Sequence, residues 1–141
     1  MTPEAEMYLF MAARAELLAE RIKPALAAGR VVIADRYHDS TLAYQGGGRG
    51  VAAFWPESFP KPDLTVLLEL PAVTGIDRMR RSGKALDRLD AEPESFHAAV
   101  VAAYERLAAA EPGRWLRVDA LEAPEAIHRA IMERVLELLR R

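Results

Sequence analysis

Three short apolar runs separated by helical patterns constrain the fold more than any other feature of the sequence. They read "RVVIAD" (30–35), "LTVLLEL" (64–70) and "RWLRVDA" (114–120). Because they alternate little between apolar and polar residues, they are typical of strands buried on both faces. Parallel strands need long crossovers, which are usually helices. The sequence therefore predicts an α/β fold in which helices cover a parallel sheet containing these three strands.

The longest helical pattern occupies the N-terminus. Thr2 suits the N-cap, Pro3 the first helical position and Gly29 the end. We expect this helix to run to about Ala28, with a bend at Pro24. The other predicted elements are a short helix stopped by the glycines after it (38–45), a proline-containing loop (51–62), a short helix running into a basic loop (72–84), and helices at 94–110 and 124–140.

The composition excludes several classes of protein. A length of 141 residues suits one domain. The 19 basic and 21 acidic residues nearly balance, so neither nucleic acid nor an anionic membrane surface is an expected partner. There is no cysteine, and the histidines lack metal-ligand spacing. No apolar run approaches the ~20 residues of a membrane span. The acidic N-terminus is unlike a signal peptide, so we expect a cytoplasmic protein.

Polar residues are concentrated directly after the first predicted strand, in "DRYHDSTLAYQGGGRG" (35–50). Ligands in parallel α/β folds bind beyond the carboxyl ends of the strands. Asp35 and Arg36 most often form a plain ion pair in such a position. Alternatively, Arg36 makes a bidentate phosphate contact, and Asp35 holds a magnesium-bound water or accepts a hydroxyl proton.

The second half of the same stretch offers groups that suit a nucleobase. Thr41, Tyr44 and Gln45 supply hydroxyls and an amide. The glycine run 46–50 that follows is expected to be a mobile loop. It is not a phosphate loop, because GxxxxGK[ST] occurs nowhere in these 141 residues.

An arginine lies on the apolar face of the N-terminal helix. Arg14 follows Phe10 by about one turn and shares its face. A guanidinium on such a face is costly without an anionic partner unless it reaches solvent. Either Arg14 forms an internal salt bridge, or it faces a ligand phosphate while Phe10 stacks on a ring.

A basic segment follows the second predicted strand. Within "RMRRSGKALDRLD" (78–90) the basic residues are Arg78, Arg80, Arg81, Lys84 and Arg88. Such a loop is usually solvated surface. Between two helices it is also typical of a lid whose arginines close over transferring phosphates.

Taken in order, these motifs resemble the bacterial type of thymidylate kinase. The most specific is DRY-x-x-[ST]-x-x-AYQG-x-x-RG, preceded by "LFMAARAELLAERIKPALAAGR" and followed by "PDLTVLLELP", "LDRLD" and "RWLRVDA". The resemblance covers nearly the whole chain. It implies a three-layer P-loop kinase fold and transfer of the γ-phosphoryl group of MgATP to thymidine monophosphate (dTMP). The product is dTDP, a precursor of dTTP.

The resemblance also implies a dTMP site. Phe10 would stack on the thymine ring, and the groups around the base would be Arg14, Thr41 and Gln45. Arg36 would bind the phosphate. Tyr44 would lie against the sugar, where it disfavours a 2′-hydroxyl.

A second implied group serves the transfer. Asp35 organises magnesium indirectly, through water, and forms the catalytic set with Arg81 and Arg88. The ATP-binding residues are Arg78, Arg88, Asp119 and Ala120, with a lid at about 78–92. The N-terminal helix is the implied surface of a homodimer.

The sequence departs from the family's pattern. The family begins with a strand, the phosphate loop, its helix and a second strand, and nothing here matches them. We therefore expect residues 1–141 to be the C-terminal portion of a single kinase domain, with three strands retained and no activity alone. The absent strand lies between those matching 30–35 and 64–70, whose edges would pair directly or stay open. Smaller departures are the short loop 51–62 and Asp90, where glutamate is more usual.

Two other functions stay open. One is a non-catalytic remnant that binds nucleotide or pairs subunits, which binding without turnover would indicate. The other is a different nucleoside or nucleotide kinase, against which the AYQG sequence argues. An assay that compares thymidine, uridine and cytidine monophosphates separates these alternatives.

Overall fold

The structure, a computed structural model, describes residues 1–81, 83, 88–89 and 91–140. The chain divides into two units. One contains Met1–Pro60 and Glu94–Leu107, and the other contains Lys61–Pro93 and Ala108–Arg141. Within the described ranges, no helix is long and apolar enough to cross a membrane.

The first unit begins with the predicted N-terminal helix. Helix α1 spans Pro3–Leu17, and the Oγ1 atom of Thr2 accepts a hydrogen bond from the backbone N of Ala5 at 3.2 Å. This cap satisfies one of the free N–H groups at the start of the helix. Met7 is buried, whereas Phe10, on the predicted apolar face, is 42% exposed. The sequence therefore located the start of α1.

A π-helical turn interrupts the helix before Pro24. The turn covers Leu18–Ile22, and α2 (Lys23–Ala27) continues from it. Proline has no N–H to donate, and its ring clashes with the carbonyl one turn earlier, so the chain widens there. Pro24 disturbs the helix as predicted, and Gly29, at φ +70°, follows its end.

The prediction of a strand at 30–35 is wrong. Residues 30–34 have no strand partner in the part of the chain that the structure describes. Val31 is 62% exposed and Ile33 is 93% exposed. β-Branched side chains suit a pleated surface, but a strand forms only when a neighbouring backbone pairs with it. The described residues therefore form a sheet of two strands rather than the three that were predicted.

The glycine run after the next helix is packed, contrary to prediction. Helix α3 (His38–Thr41) continues into a π-helical segment, Leu42–Gly48, so the glycines neither stop the helix nor form a loop. Gly47 and Gly48 lie against helix α5 (Glu94–Ala110), and Gly46 lies against Ala53. A Cβ atom at Gly47 would lie 2.4 Å from the Cβ of Ala103, and one at Gly48 would lie 2.4 Å from the ring of Phe96. The absent side chains allow two helical backbones to approach closely.

A small hydrophobic core supports this unit. It consists of Leu18, Ile22 and Phe59, with Val32, Tyr37 and Trp55 packed against them. The predicted loop 51–62 is confirmed, and it supplies two of the rings. The Nε1 atom of Trp55 donates to the carbonyl of Phe59 at 2.8 Å, which satisfies the indole within the loop.

The second unit contains the predicted parallel strands. Strand β1 (Thr65–Glu69) pairs in parallel with β2 (Trp115–Asp119), with Thr65 opposite Trp115. Helix α4 (Ala72–Arg81) follows β1, and α6 (Pro124–Leu139) follows β2. Both strands and the helices at 94–110 and 124–140 are confirmed, so the chain is an α/β protein.

Candidate active site

Two side-chain bridges join α1 to the segment 38–48. The Nη1 atom of Arg14 donates to the Oγ1 of Thr41 at 2.8 Å, and the Nε2 of Gln45 donates to the Oε1 of Glu6 at 2.8 Å. Glu6 and Arg14 share a face of α1, as Thr41 and Gln45 share a face of their segment. Phe10 lies midway between Glu6 and Arg14 and is 42% exposed. Its ring is therefore accessible from solvent between the two bridges.

Glu6 is a buried carboxylate that the sequence prediction missed. Its exposure is 3%, and that of Gln45 is 2%. The Nε of Arg49 lies 3.7 Å from the Oε1 of Glu6, and the guanidinium of Arg49 lies 4.8 Å from the ring centre of Phe96. A buried carboxylate is stable only when it is paired. The network thus ties α1, the π-helical segment and α5 together around one charge.

His38 is fully buried beside Arg14. Its Nε2 lies 2.7 Å from the carbonyl oxygen of Phe54, and its Nδ1 lies 3.5 Å from the Nη1 of Arg14. A carbonyl only accepts, so Nε2 carries the hydrogen and Nδ1 is the acceptor. Burial lowers the pKa of His38, the hydrogen bond to Phe54 opposes this, and the charge of Arg14 adds to it. The imidazole is therefore a neutral acceptor for the guanidinium.

Arg14 has hydroxyl and imidazole partners instead of a carboxylate. Within the described residues no acidic side chain forms a salt bridge with it, so the internal salt bridge is wrong. Its guanidinium carbon lies 5.6 Å from the ring centre of Tyr37. Burial lowers the pKa of Arg14, although it remains a cation because its ordinary value is so high. The guanidinium thus keeps donors that these neutral partners do not use.

Arg36 has an unusual backbone conformation. Its φ angle is 60°, in the left-handed region that non-glycine residues rarely adopt. The guanidinium lies 5.0 Å from the ring centre of Tyr44, so the structure brings these two predicted residues together. Tyr44 packs edge-on against Tyr104, whose hydroxyl shares a hydrogen bond of 2.8 Å with Ser40. Strained backbone of this kind is concentrated at functional sites.

Asp35 and Arg36 line an open cavity of about 610 Å³. The rest of its lining comes from residues within 17–25 and 30–34. The plain ion pair between Asp35 and Arg36 is not formed within the described residues, and both side chains are exposed. Nor do those residues contain a group of three or more acidic, histidine or cysteine side chains suited to a metal. Both charged groups therefore face the cavity and solvent without neutralising each other.

The second unit brings together three of the residues predicted to bind ATP. The Nη1 of Arg78 donates to the carbonyl of Ala120 at 3.1 Å. The Oδ1 of Asp119 accepts from the backbone N of Leu121 at 2.8 Å, which shapes the turn after β2. Arg81 and Arg88, both predicted to be catalytic, are exposed. Lys84 and Asp90, also in the predicted lid, lie outside the described residues.

The residues that prediction missed had partial signals. Glu6 precedes Phe10 by four residues, as Phe10 precedes Arg14, so the spacing alone places all three on one face. Nothing in the sequence marks His38 or Tyr104, because their partners, Phe54 and Ser40, are distant in the chain. Long-range pairing of this kind becomes visible only in the folded structure.

Comparisons with known proteins show the family to which this chain belongs. The family model described as thymidylate kinase matches residues 1–131. A thymidylate kinase of Thermomicrobium roseum is 43% identical over 148 residues, which cover 100% of this chain and 70% of that protein. One of Gluconobacter oxydans is 42% identical over 146 residues, covering 96% and 67%. One of Pseudomonas fluorescens (strain SBW25) is 43% identical over 148 residues, covering 100% and 70%.

The chain therefore belongs to the thymidylate kinase family, and these relatives are bacterial. Membership implies the α/β fold of the P-loop kinases, of which the described residues show a small parallel sheet and its helices.

Proposed function

We propose that this chain belongs to an enzyme that transfers the γ-phosphoryl group of ATP to dTMP and so serves dTTP synthesis in the cytoplasm. The observation that carries the proposal is the position of Phe10 between the Arg14–Thr41 and Glu6–Gln45 bridges. An accessible aromatic ring flanked by a guanidinium and an amide suits a planar base with polar edges. Family membership supports the same substrate.

The base is bound by stacking and by hydrogen bonds. Phe10 stacks on the thymine ring, while Arg14 and Gln45 contact its polar edge. Thr41 contributes indirectly, because its hydroxyl accepts a hydrogen bond from Arg14 and so helps to hold the guanidinium in place. His38 supports Arg14 in the same way through its unprotonated Nδ1.

The monophosphate and the sugar are bound beside the open cavity. The guanidinium of Arg36 is exposed there, and its fork of N–H groups matches a phosphate dianion. Tyr44 lies against Arg36 and contacts the sugar, where its ring disfavours a 2′-hydroxyl. The strained backbone of Arg36 supports this role, because a side chain serving stability alone has no reason to lie there.

The ATP side rests on the second unit. The bond from Arg78 to the carbonyl of Ala120, next to Asp119, shapes a surface suited to adenine. Arg81 and Arg88 neutralise charge that develops on the phosphates during in-line transfer. The lid 78–92, to which they belong, remains a prediction.

Magnesium fits this scheme through a single residue. Mg²⁺ in kinases is commonly held by one or two carboxylates together with substrate phosphates and water. Asp35 is an exposed carboxylate, which suits a contact through water. When bound, the ion supplies positive charge to the phosphate oxygens.

A second function is favoured by one observation: the motif GxxxxGK[ST] is absent from these 141 residues. Its amides, lysine and hydroxyl normally hold the ATP phosphates and magnesium. Removal of a single preorganised donor costs roughly 10²–10³ in rate. We therefore propose that these residues alone bind dTMP without detectable transfer. We also propose that they associate as a homodimer through α1, on which Tyr8 and Leu9 are 59% and 60% exposed.

A calorimetric titration of dTMP into the 141-residue chain tests the site. Arg36→Ala is expected to weaken binding about 100-fold, since a charge-assisted bidentate contact is lost. Arg81→Ala is the matched control and should change the affinity by less than about twofold, because lid arginines act on the transition state. A radiolabel transfer assay with the same protein should show no product. Unchanged dTMP affinity in Arg36→Ala would refute the assigned phosphate contact.

A further inference from the structure

The bridge between Glu6 and Gln45 has a chemical polarity that determines which end of the amide faces a ligand. A carboxylate can only accept hydrogen bonds, so the Nε2 end of Gln45, 2.8 Å from the Oε1 of Glu6, must point toward α1. The carbonyl end, Oε1, then points away from Glu6. Within the described residues that oxygen has no hydrogen-bond partner.

Several contacts hold the amide in this orientation. Gln45 and Glu6 are only 2% and 3% exposed, so water does not compete for the bridge. The cation of Arg49, 3.7 Å from the Oε1 of Glu6, favours the ionised carboxylate, and Arg49 itself packs on Phe96. With its carboxylate partner ionised, rotating the amide by half a turn would place two acceptors against each other. The orientation of Gln45 is therefore determined by a residue of α1.

We propose that Glu6 is a specificity-determining positioning residue. By fixing the amide of Gln45 it directs an acceptor, Oε1, away from α1, while Arg14 supplies a donor four residues beyond Phe10. A donor and an acceptor that reach the same edge of the base complement O4 and N3–H of thymine or uracil. They oppose the amino group and unprotonated N3 of cytosine. The inference rests on the proposed dTMP site and adds to it the residue by which cytosine nucleotides are rejected.

The sequence spacing agrees with this role. On α1 the order is Glu6, Phe10, Arg14, at intervals of four residues. A helix rises about 1.5 Å per residue, so the two bridges lie about 12 Å apart along α1 with Phe10 between them. Glu6 and Arg14 thus flank Phe10 along the helix, and they act on a base stacked there through Gln45 and directly, respectively.

The test is a comparison of binding constants in the 141-residue chain. Titration of dTMP, dUMP and dCMP gives a ratio of dCMP to dTMP dissociation constants. The glutamine introduced by Glu6→Gln can both donate and accept a hydrogen bond, so it pairs with either end of the Gln45 amide and lets that amide rotate. We therefore expect the ratio to fall about tenfold. Glu4→Gln, an exposed acid in the first turn of the same helix, is the matched control and should leave the ratio unchanged.

A rescue variant separates positioning from general structural support. Glu6→Gln combined with Gln45→Glu reverses the bridge but again leaves an oxygen acceptor facing the base, so the ratio should recover. In the ligand-free chain, the side-chain NH₂ protons of Gln45 should exchange slowly with solvent, and faster in Glu6→Gln. If incomplete folding of a variant limits the binding data, this exchange measurement gives an independent test of the Gln45 orientation.

The outcomes are distinct. If dTMP binds and folded Glu6→Gln keeps the wild-type ratio, or if the Gln45 protons exchange equally fast in both proteins, the role of Glu6 is refuted and the dTMP site stands. If the wild-type chain binds none of the three nucleotides, the proposed dTMP site is refuted and this inference with it.

Discussion

Residues 30–34 and 38–48 are neighbours in the chain, yet the more hydrophobic of these two segments is the more exposed. The first is the more hydrophobic, and its side chains are largely exposed, with Ile33 at 93%. The second is richer in polar groups, and His38, Thr41 and Gln45 are nearly inaccessible to solvent. A helical segment makes its own backbone hydrogen bonds, whereas a strand depends on a partner. Hydrophobicity alone therefore does not decide what is buried.

Removal of the His38 side chain should give the largest loss of stability. His38→Ala deletes contacts with Trp55 and Phe59 and leaves the Phe54 carbonyl without its donor. We expect the free energy of unfolding to fall by about 2–4 kcal/mol. Chemical denaturation measures this, with the exposed His128→Ala as the control. A loss of less than about 0.5 kcal/mol, the size of a surface change, would show that the polar segment is not the better packed of the two.

The same histidine predicts a pH dependence. Burial holds the pKa of His38 below its ordinary value of 6.5, so the unfolded chain takes up the proton first as the pH falls. The contribution of His38 to stability is therefore complete above pH 6.5 and declines below it. His38→Ala should show a shallower fall in stability between neutral and mildly acidic pH. An identical slope in both proteins would contradict the neutral imidazole.

An added methyl group in the glycine run should have the next largest effect. The Cβ of Gly47→Ala would lie 2.4 Å from that of Ala103, against a helical backbone that cannot yield easily. Overpacking of this kind costs about 1–3 kcal/mol. Gly113→Ala is the control, because a Cβ there meets nothing within 4 Å. Equal stability of the two variants would indicate that the π-helical segment is not held against α5.

A polar substitution in the apolar run should have the smallest effect. Ile33→Ser removes a side chain that is already in solvent, so the free energy of unfolding should change by less than about 0.5 kcal/mol. Ile22→Ser, in the core of the same unit, is the matched comparison and should be severely destabilising. A large loss in Ile33→Ser would restore the original prediction of a buried strand.

The elements that were predicted correctly have local causes. The Thr2 cap and the effect of Pro24 follow from residues close together in the chain. The strands 65–69 and 115–119 were also predicted from their local apolar runs, and each provides the partner that the other needs. The failures have non-local causes. Whether 30–35 becomes a strand depends on a second backbone, and whether Gly47 and Gly48 form a loop depends on α5.

The site shows the same division. Phe10, Arg14, Arg36 and Tyr44 were predicted from their motifs, and the structure brings Arg36 to Tyr44 and Arg14 to Thr41. Gln45 was predicted as well, but its buried partner was not. Glu6 becomes informative only when the carboxylate is seen against an amide 39 positions away in the chain. Charge alone does not distinguish it from Glu4, which lies two residues earlier on the solvent side.

The backbone at Arg36 has a consequence for how this sequence can evolve. An arginine at a φ of 60° is less favourable than a glycine by roughly 1 kcal/mol, so random substitution under selection for stability alone would replace it. If Arg36 makes the proposed phosphate contact, a lineage that no longer needs this contact is expected to drift toward glycine at this position. A lineage that needs it is expected to keep the less stable arginine, as functional sites commonly do.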